Sequence, residues 1–103
     1  MVNIVIYLKK EINAIELVKH LLEEKLIASA TIDENNVSYK LEDNNFSTVT
    51  KNVITAQSKA LLFSEIAKAV ETRIGFETPI YSIPIISSNT VFKSNIKSNT
   101  ITI

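Results

Sequence analysis

The sequence is 103 residues long, balances 11 basic against 11 acidic side chains, and contains no cysteine. Disulfides, thiolate metal sites and cysteine nucleophiles are thereby excluded, and no single-sign field invites nucleic acid or an acidic membrane. One domain spanning 1–103 is expected, since a chain of this size buries roughly 60–70% of its extended surface, enough for one compact core. Apolar residues at 46%, with one Gly and two Pro, argue for an ordered fold.

The opening stretch, MVNIVIYLKK, has no basic leader before its apolar run, and Val2 to Leu8 is too short to span a bilayer. The expected location is therefore the cytoplasm. Val2, Ile4, Ile6 and Leu8 alternate with Asn3, Val5 and Tyr7, the period of a strand. Val5 and Tyr7 make its second face apolar as well, which suits a central position.

Asn13-Ala14-Ile15-Glu16 has capping-box spacing, and a helix is expected from Ala14 to Leu26. Ala14, Leu17, Val18, Leu21 and Leu22 recur at three and four residues to form one broad stripe. Ile27 to Ile32 reads as a second strand. Asp33-Glu34-Asn35-Asn36 marks a turn or a bulge before Val37 to Leu41, and Glu42-Asp43-Asn44-Asn45 is the stronger turn signal. Phe46 to Ala56 resumes as a strand, so this region is one long bent hairpin or several short strands.

Ser58 is placed to cap a second helix, Lys59 to Ile74, whose stripe is Leu62, Phe63, Ile66, Ala67, Val70 and Ile74. Gly75, the only glycine, sits where a left-handed C-cap is needed. Pro79 opens a last strand, Ile80 to Ile86, in which Pro84 cannot donate a ladder hydrogen bond and so requires an edge or a bulge. The core of the domain covers 1–86. Residues 87–103 read as a C-terminal tail or a short helix or strand, with Val91, Phe92 and Ile96 as a short apolar face and Thr100 to Ile103 as a candidate small strand or docking tail.

The order is strand, helix, strand, strand, helix, strand. It predicts an α+β, ferredoxin-like split βαβ sandwich with both helices on one side of an antiparallel sheet. The opposite sheet face then needs a neighbour, because a large exposed apolar patch is unusual on a monomer. Self-association supplies one.

Chemistry is sparse. His20 shares a helix with Glu16 and Glu23 at i,i+4 and i,i+3 spacing, yet one imidazole with mobile carboxylates makes a weak transition-metal site. Asp33, Glu34, Glu42 and Asp43 read more readily as solvated turn acids than as cation ligands, since nothing fixes them to a known loop geometry. No nucleophile motif or glycine-rich phosphate cradle is present. Tyr39, Phe46, Phe76 and Tyr81 are better read as core or interface rings than as a nucleobase-stacking platform. An enzyme is not expected, and the residues alone call for no cofactor.

AIELVKHLLEEKLIASATI, from Ala14 to Ile32, resembles the helix-plus-strand signature of the CutA family, the divalent-cation tolerance proteins. Ser29 stands where that family usually has Cys. Val37-Ser38-Tyr39-Lys40 is similar to the family's Ser-x-Tyr-x-Trp stretch without its Trp, and Val53 to Ser58 resembles the strand leading into the second helix. Ile74-Gly75-Phe76-Glu77-Thr78-Pro79-Ile80 matches the family's His-Pro-Tyr-x-x-Pro-Glu with Ile74, Gly75 and Ile80 in place of His, Pro and Glu. The resemblance implies a PII-like trimeric fold and a non-enzymatic role in the response to divalent cations such as copper or zinc. With Cys, His and Glu replaced, His20 and Glu77 remain as candidate metal-ligating side chains. The PII likeness implies an alternative, a sensor that binds a small molecule in a cleft between subunits, with Tyr39, Lys40, Phe76 and Tyr81 along its wall. A purely structural trimer is the third reading.

Overall fold

The computed structural model describes residues 1–102. Its elements run β1 (Val2–Lys9), α1 (Ala14–Glu23), β2 (Ser29–Glu42), β3 (Asn45–Ser58), a 3₁₀ turn (Ala60–Leu62), α2 (Phe63–Ile74), β4 (Ile80–Pro84) and α3 (Thr90–Asn99). The four strands form one sheet in the order β2-β3-β1-β4, with every neighbouring pair antiparallel. The α+β split βαβ arrangement expected from the sequence is the one observed.

β1 occupies the interior of the sheet because both its faces tolerate burial. Ile4, Ile6 and Leu8 are fully buried on the helix side, together with Leu17 and Leu21 of α1, Ile54 of β3 and Ile66 and Val70 of α2. Burying a side chain of this size contributes about 1.5–3 kcal/mol, so this cluster fixes which face the helices cover. Val5 points the other way and is nevertheless buried, between Thr55 and Tyr81 on the flanking strands.

α1 and α2 both end on left-handed residues. α1 stops at Glu23, three residues before the expected Leu26, because Lys25 turns to φ 56. The Leu26 N–H then donates to the Leu21 carbonyl and the Lys25 N–H to that of Leu22, the double bond of a Schellman cap. Gly75 closes α2 at φ 96, and its N–H donates to the Glu71 carbonyl. Ser58 does not cap the second helix as expected. It ends β3, fully buried, and its hydroxyl donates to the Leu26 carbonyl, while the chain enters α2 through the 3₁₀ turn.

β2 and β3 are single strands of 14 residues each, so the region is one long hairpin. Asp43 and Asn44 form its two-residue turn with φ of 51 and 66, the paired positive values of a type I′ turn. The register shifts between Asp33 and Asn36, where Asn35 adopts φ 60 and the Asn36 side chain donates to Asp33. This is the bulge reading of that polar cluster. β1 accompanies β3 only as far as Lys51, so beyond that rung the hairpin continues as a two-stranded arm. The arm lies along a molecule 46 Å in its longest dimension.

β4 is an edge strand and ends at Pro84, two residues before the expected Ile86; the next N–H, that of Ile85, donates to the Met1 carbonyl. The C-terminal extension contains a helix, α3, capped by the Asn89 side chain, which accepts from the Phe92 N–H. Ile96 is its buried residue. No strand includes Thr100–Thr102, and the last residue of that expected strand, Ile103, lies outside the described residues. The tail is tied down nonetheless: the Ile101 N–H donates to the Lys25 carbonyl, and the Lys59 ammonium donates to the Ile101 carbonyl.

Candidate functional site

The segment GFETP after α2 forms the lip of a cleft. Gly75 reverses the chain, after which the Thr78 hydroxyl donates to the Tyr7 carbonyl at 2.7 Å and the Tyr7 N–H donates to the Pro79 carbonyl at 3.0 Å. These two bonds stitch residues 76–79 onto the end of β1. Opposite the lip, β3 supplies Val49 and Lys51, and β1 supplies Tyr7 and Lys9. Together with Phe76, Glu77, Thr78 and Pro79 they enclose about 290 Å³ at the root of the arm.

Lys9 and Lys51 stand directly opposite each other on the last rung of the β1–β3 ladder. Each ammonium lies near an aromatic ring, Lys9 at 5.0 Å from the centre of Phe76 and Lys51 at 5.9 Å from that of Tyr7. Such contacts stabilise a cation through the negative face of the ring. Tyr7 is itself stacked on Tyr81, centroid to centroid 6.1 Å with 28° between planes. The Tyr7 hydroxyl, ahead of burial and charge repulsion, raises the Tyr81 phenol above its ordinary value. The site is thus an apolar and aromatic cleft carrying two cations and one acid, Glu77.

Of the residues singled out from the sequence, Phe76 and Glu77 line this cleft, and Tyr81 adjoins it through Tyr7. Tyr39 and Lys40 lie out on the arm. Tyr39 stacks on Phe46 at 5.9 Å, while the Lys40 ammonium pairs with Glu42 at 2.6 Å. His20 lines a shallow depression between the helices with Ala69, Thr72 and Arg73. Within one chain, therefore, His20 and Glu77 occupy separate clefts.

The donors do not assemble a metal centre within the chain. Among the described residues, no three His, Asp or Glu side chains are grouped so as to hold an ion. Glu16, beside His20 on α1, pairs with Arg73 at 3.1 Å. Ser29 donates its hydroxyl to the Gln57 side chain at 2.6 Å, and Gln57 donates in turn to Asn3 at 2.9 Å. That polar chain crosses three strands on the open sheet face. Its Ser29 is a hydrogen-bonding group with an assigned partner rather than a free donor.

Sequence reasoning missed Tyr7, Lys9, Val49 and Lys51 as site residues. Extending the alternation Val5, Tyr7 by one step puts Lys9 on the same face, so half of the lysine pair was within reach. Lys51 depends on the β1–β3 register, a pairing between distant stretches of chain that no local pattern encodes.

No protein-family model matches the sequence, and no curated protein matches it. Solved structures do. The divalent ion tolerance protein CutA1 from Ehrlichia chaffeensis is similar with a TM-score of 0.85 at 20% identity, over 98% of this chain and 95% of that one. The divalent cation tolerance protein (Cut A1) from Thermus thermophilus gives 0.84 at 20% identity, over 97% and 99%. The periplasmic divalent cation tolerance protein CutA from Archaeoglobus fulgidus gives 0.81 at 22% identity, over 96% and 98%. At these identities the likeness establishes a shared fold, the CutA-type fold. The last of the three corrects the expectation of a cytoplasmic location: its name says periplasmic, so the fold does not go with one compartment. Among the described residues, no helix is long and apolar enough to cross a membrane.

Proposed function

We propose that this chain is a divergent member of the CutA family that works as a homotrimer, binding rather than transforming a small ligand. The observation that carries the reading is the bare apolar face of the arm. Val37, Tyr39 and Leu41 alternate along β2 and pair with Thr50, Thr48 and Phe46. Tyr39, Leu41 and Phe46 are 66, 69 and 71% exposed in the single chain. A two-stranded ribbon is marginal in water without a covering layer, and rings gain most from burial. Neighbouring copies of the chain provide that layer in this reading, and the full-length likeness to CutA1 structures supports it.

A non-catalytic role agrees with the cleft at the arm's root, whose charged groups are two lysines and one glutamate. The names of the similar structures also suggest a divalent-cation response. In this chain an ion would have to be held by donors from more than one copy, such as His20 or Glu77 with a neighbour's acid, because the described residues of one chain do not group three.

Thermal unfolding at several protein concentrations tests the proposal, repeated with copper, zinc and magnesium salts. An assembly unfolds at higher temperature as concentration rises, and a ligand of the native form raises it further. An unfolding temperature independent of concentration would contradict the assembly. A metal-dependent rise that His20→Ala or Glu77→Gln removes would support the cation response, and no rise with any metal would contradict it.

A further inference from the structure

The Lys9–Lys51 pair is the least self-sufficient feature of the molecule. Like charges directly opposite on neighbouring strands repel. Neither lysine takes part in an ion pair among the described residues, where the pairs are Lys40–Glu42 and Arg73–Glu16. Both lysines instead border the same cleft, each ammonium near an aromatic ring rather than a carboxylate.

We infer that the cleft at the root of the arm binds a small aromatic oxyanion, with its carboxylate or phosphate between Lys9 and Lys51 and its ring against Phe76 and Val49. The inference deepens the proposed binding role and rests on it. Two ammonium groups on one rung offer convergent charge-assisted donors to an anion, and an anion between them removes their mutual repulsion. The surrounding Tyr7, Val49, Phe76 and Pro79 offer apolar surface that a bare inorganic ion would not use. The volume, about 290 Å³, lies at the lower end for ligand sites and suits one ring rather than a nucleotide. Glu77, the one acid of the lining, disfavours a second negative group and so selects a ligand charged at one end.

Calorimetric titration of the intact protein at low salt, with phenyl phosphate, benzoate and inorganic phosphate as probes, tests the inference. Phenyl phosphate is expected to bind saturably and more weakly as salt rises, since exposed charges are screened. Lys9→Gln and Lys51→Gln should each weaken it about tenfold, the loss of one charge-assisted contact. Phe76→Leu should weaken phenyl phosphate and leave inorganic phosphate unchanged. Lys40→Gln, out on the arm, should change neither. Benzoate binding alongside phenyl phosphate would identify the shared oxyanion as the recognised group, whereas phenyl phosphate alone would restrict it to phosphate.

An absence of saturable binding, or binding indifferent to both lysine variants, would overturn the inference. Light scattering on the same samples separates the two claims. A trimer that binds nothing sinks the anion site alone, while a monomer that still binds with lysine dependence sinks the assembly alone.

Discussion

The buried Ser58 hydroxyl donates to the Leu26 carbonyl, joining the end of β3 to the cap of α1. Ser58→Ala removes the donor and leaves an acceptor in a dry environment, which costs about 1–3 kcal/mol. Urea unfolding should show that loss at an unchanged slope. An unchanged midpoint would mean that water replaces the hydroxyl.

Two left-handed helix ends make opposite forecasts. Gly75 sits at φ 96 with nothing within 4 Å of where a Cβ would stand, so Gly75→Ala suffers backbone strain without a clash. It should cost about 1 kcal/mol. Lys25 carries that strain already at φ 56, and Lys25→Gly should return about 0.5–1 kcal/mol. Denaturation midpoints shifted the same way by both variants would contradict this reading of the caps.

Tyr81 supplies a pH signature. Its phenol is raised from the ordinary 10.0, chiefly by the adjoining Tyr7 hydroxyl and then by burial and charge repulsion. Folding therefore holds this proton more tightly than the unfolded chain does. The associated stability is present below the unfolded value and is lost as pH rises through the raised one. Phenolate absorbance should show one of the three tyrosines ionising late, and Tyr7→Phe should bring it back towards its ordinary value. A late transition that survives Tyr7→Phe would assign the effect elsewhere.

Periodicity made most of the fold readable. The alternation Val2, Ile4, Ile6, Leu8 and the stripe Leu17, Leu21, Ile66, Val70 are local patterns whose burial follows directly. Asp43-Asn44 and Gly75 were readable because few residues tolerate their backbone angles. Ser58 was misread because a serine before an apolar helix looks like a cap, whereas its partner lies 32 positions away. Leu26 was misread because its apolar character continues the α1 stripe past the point where Lys25 turns. α3 was legible only as one of several options for the C-terminal extension, resting on a weak apolar face, although Asn89 three residues before Phe92 was a usable cap signal. The cleft was half legible: Phe76 and Glu77 stand in a conspicuous segment, but the juxtaposition of Lys9 with Lys51 is a product of strand register.

The most direct test of the assembly is the solution mass of the intact protein and of a Leu41→Lys, Phe46→Glu variant, whose opposite charges face each other across the arm, by light scattering at matched concentration. Both substitutions lie on exposed positions of the arm, so circular dichroism should report an unchanged fold. Three chain masses for the intact protein and a smaller species for the variant are expected. A wild-type mass of one chain, or a trimer indifferent to two charges on the arm's apolar face, would contradict the proposal that neighbouring copies cover it.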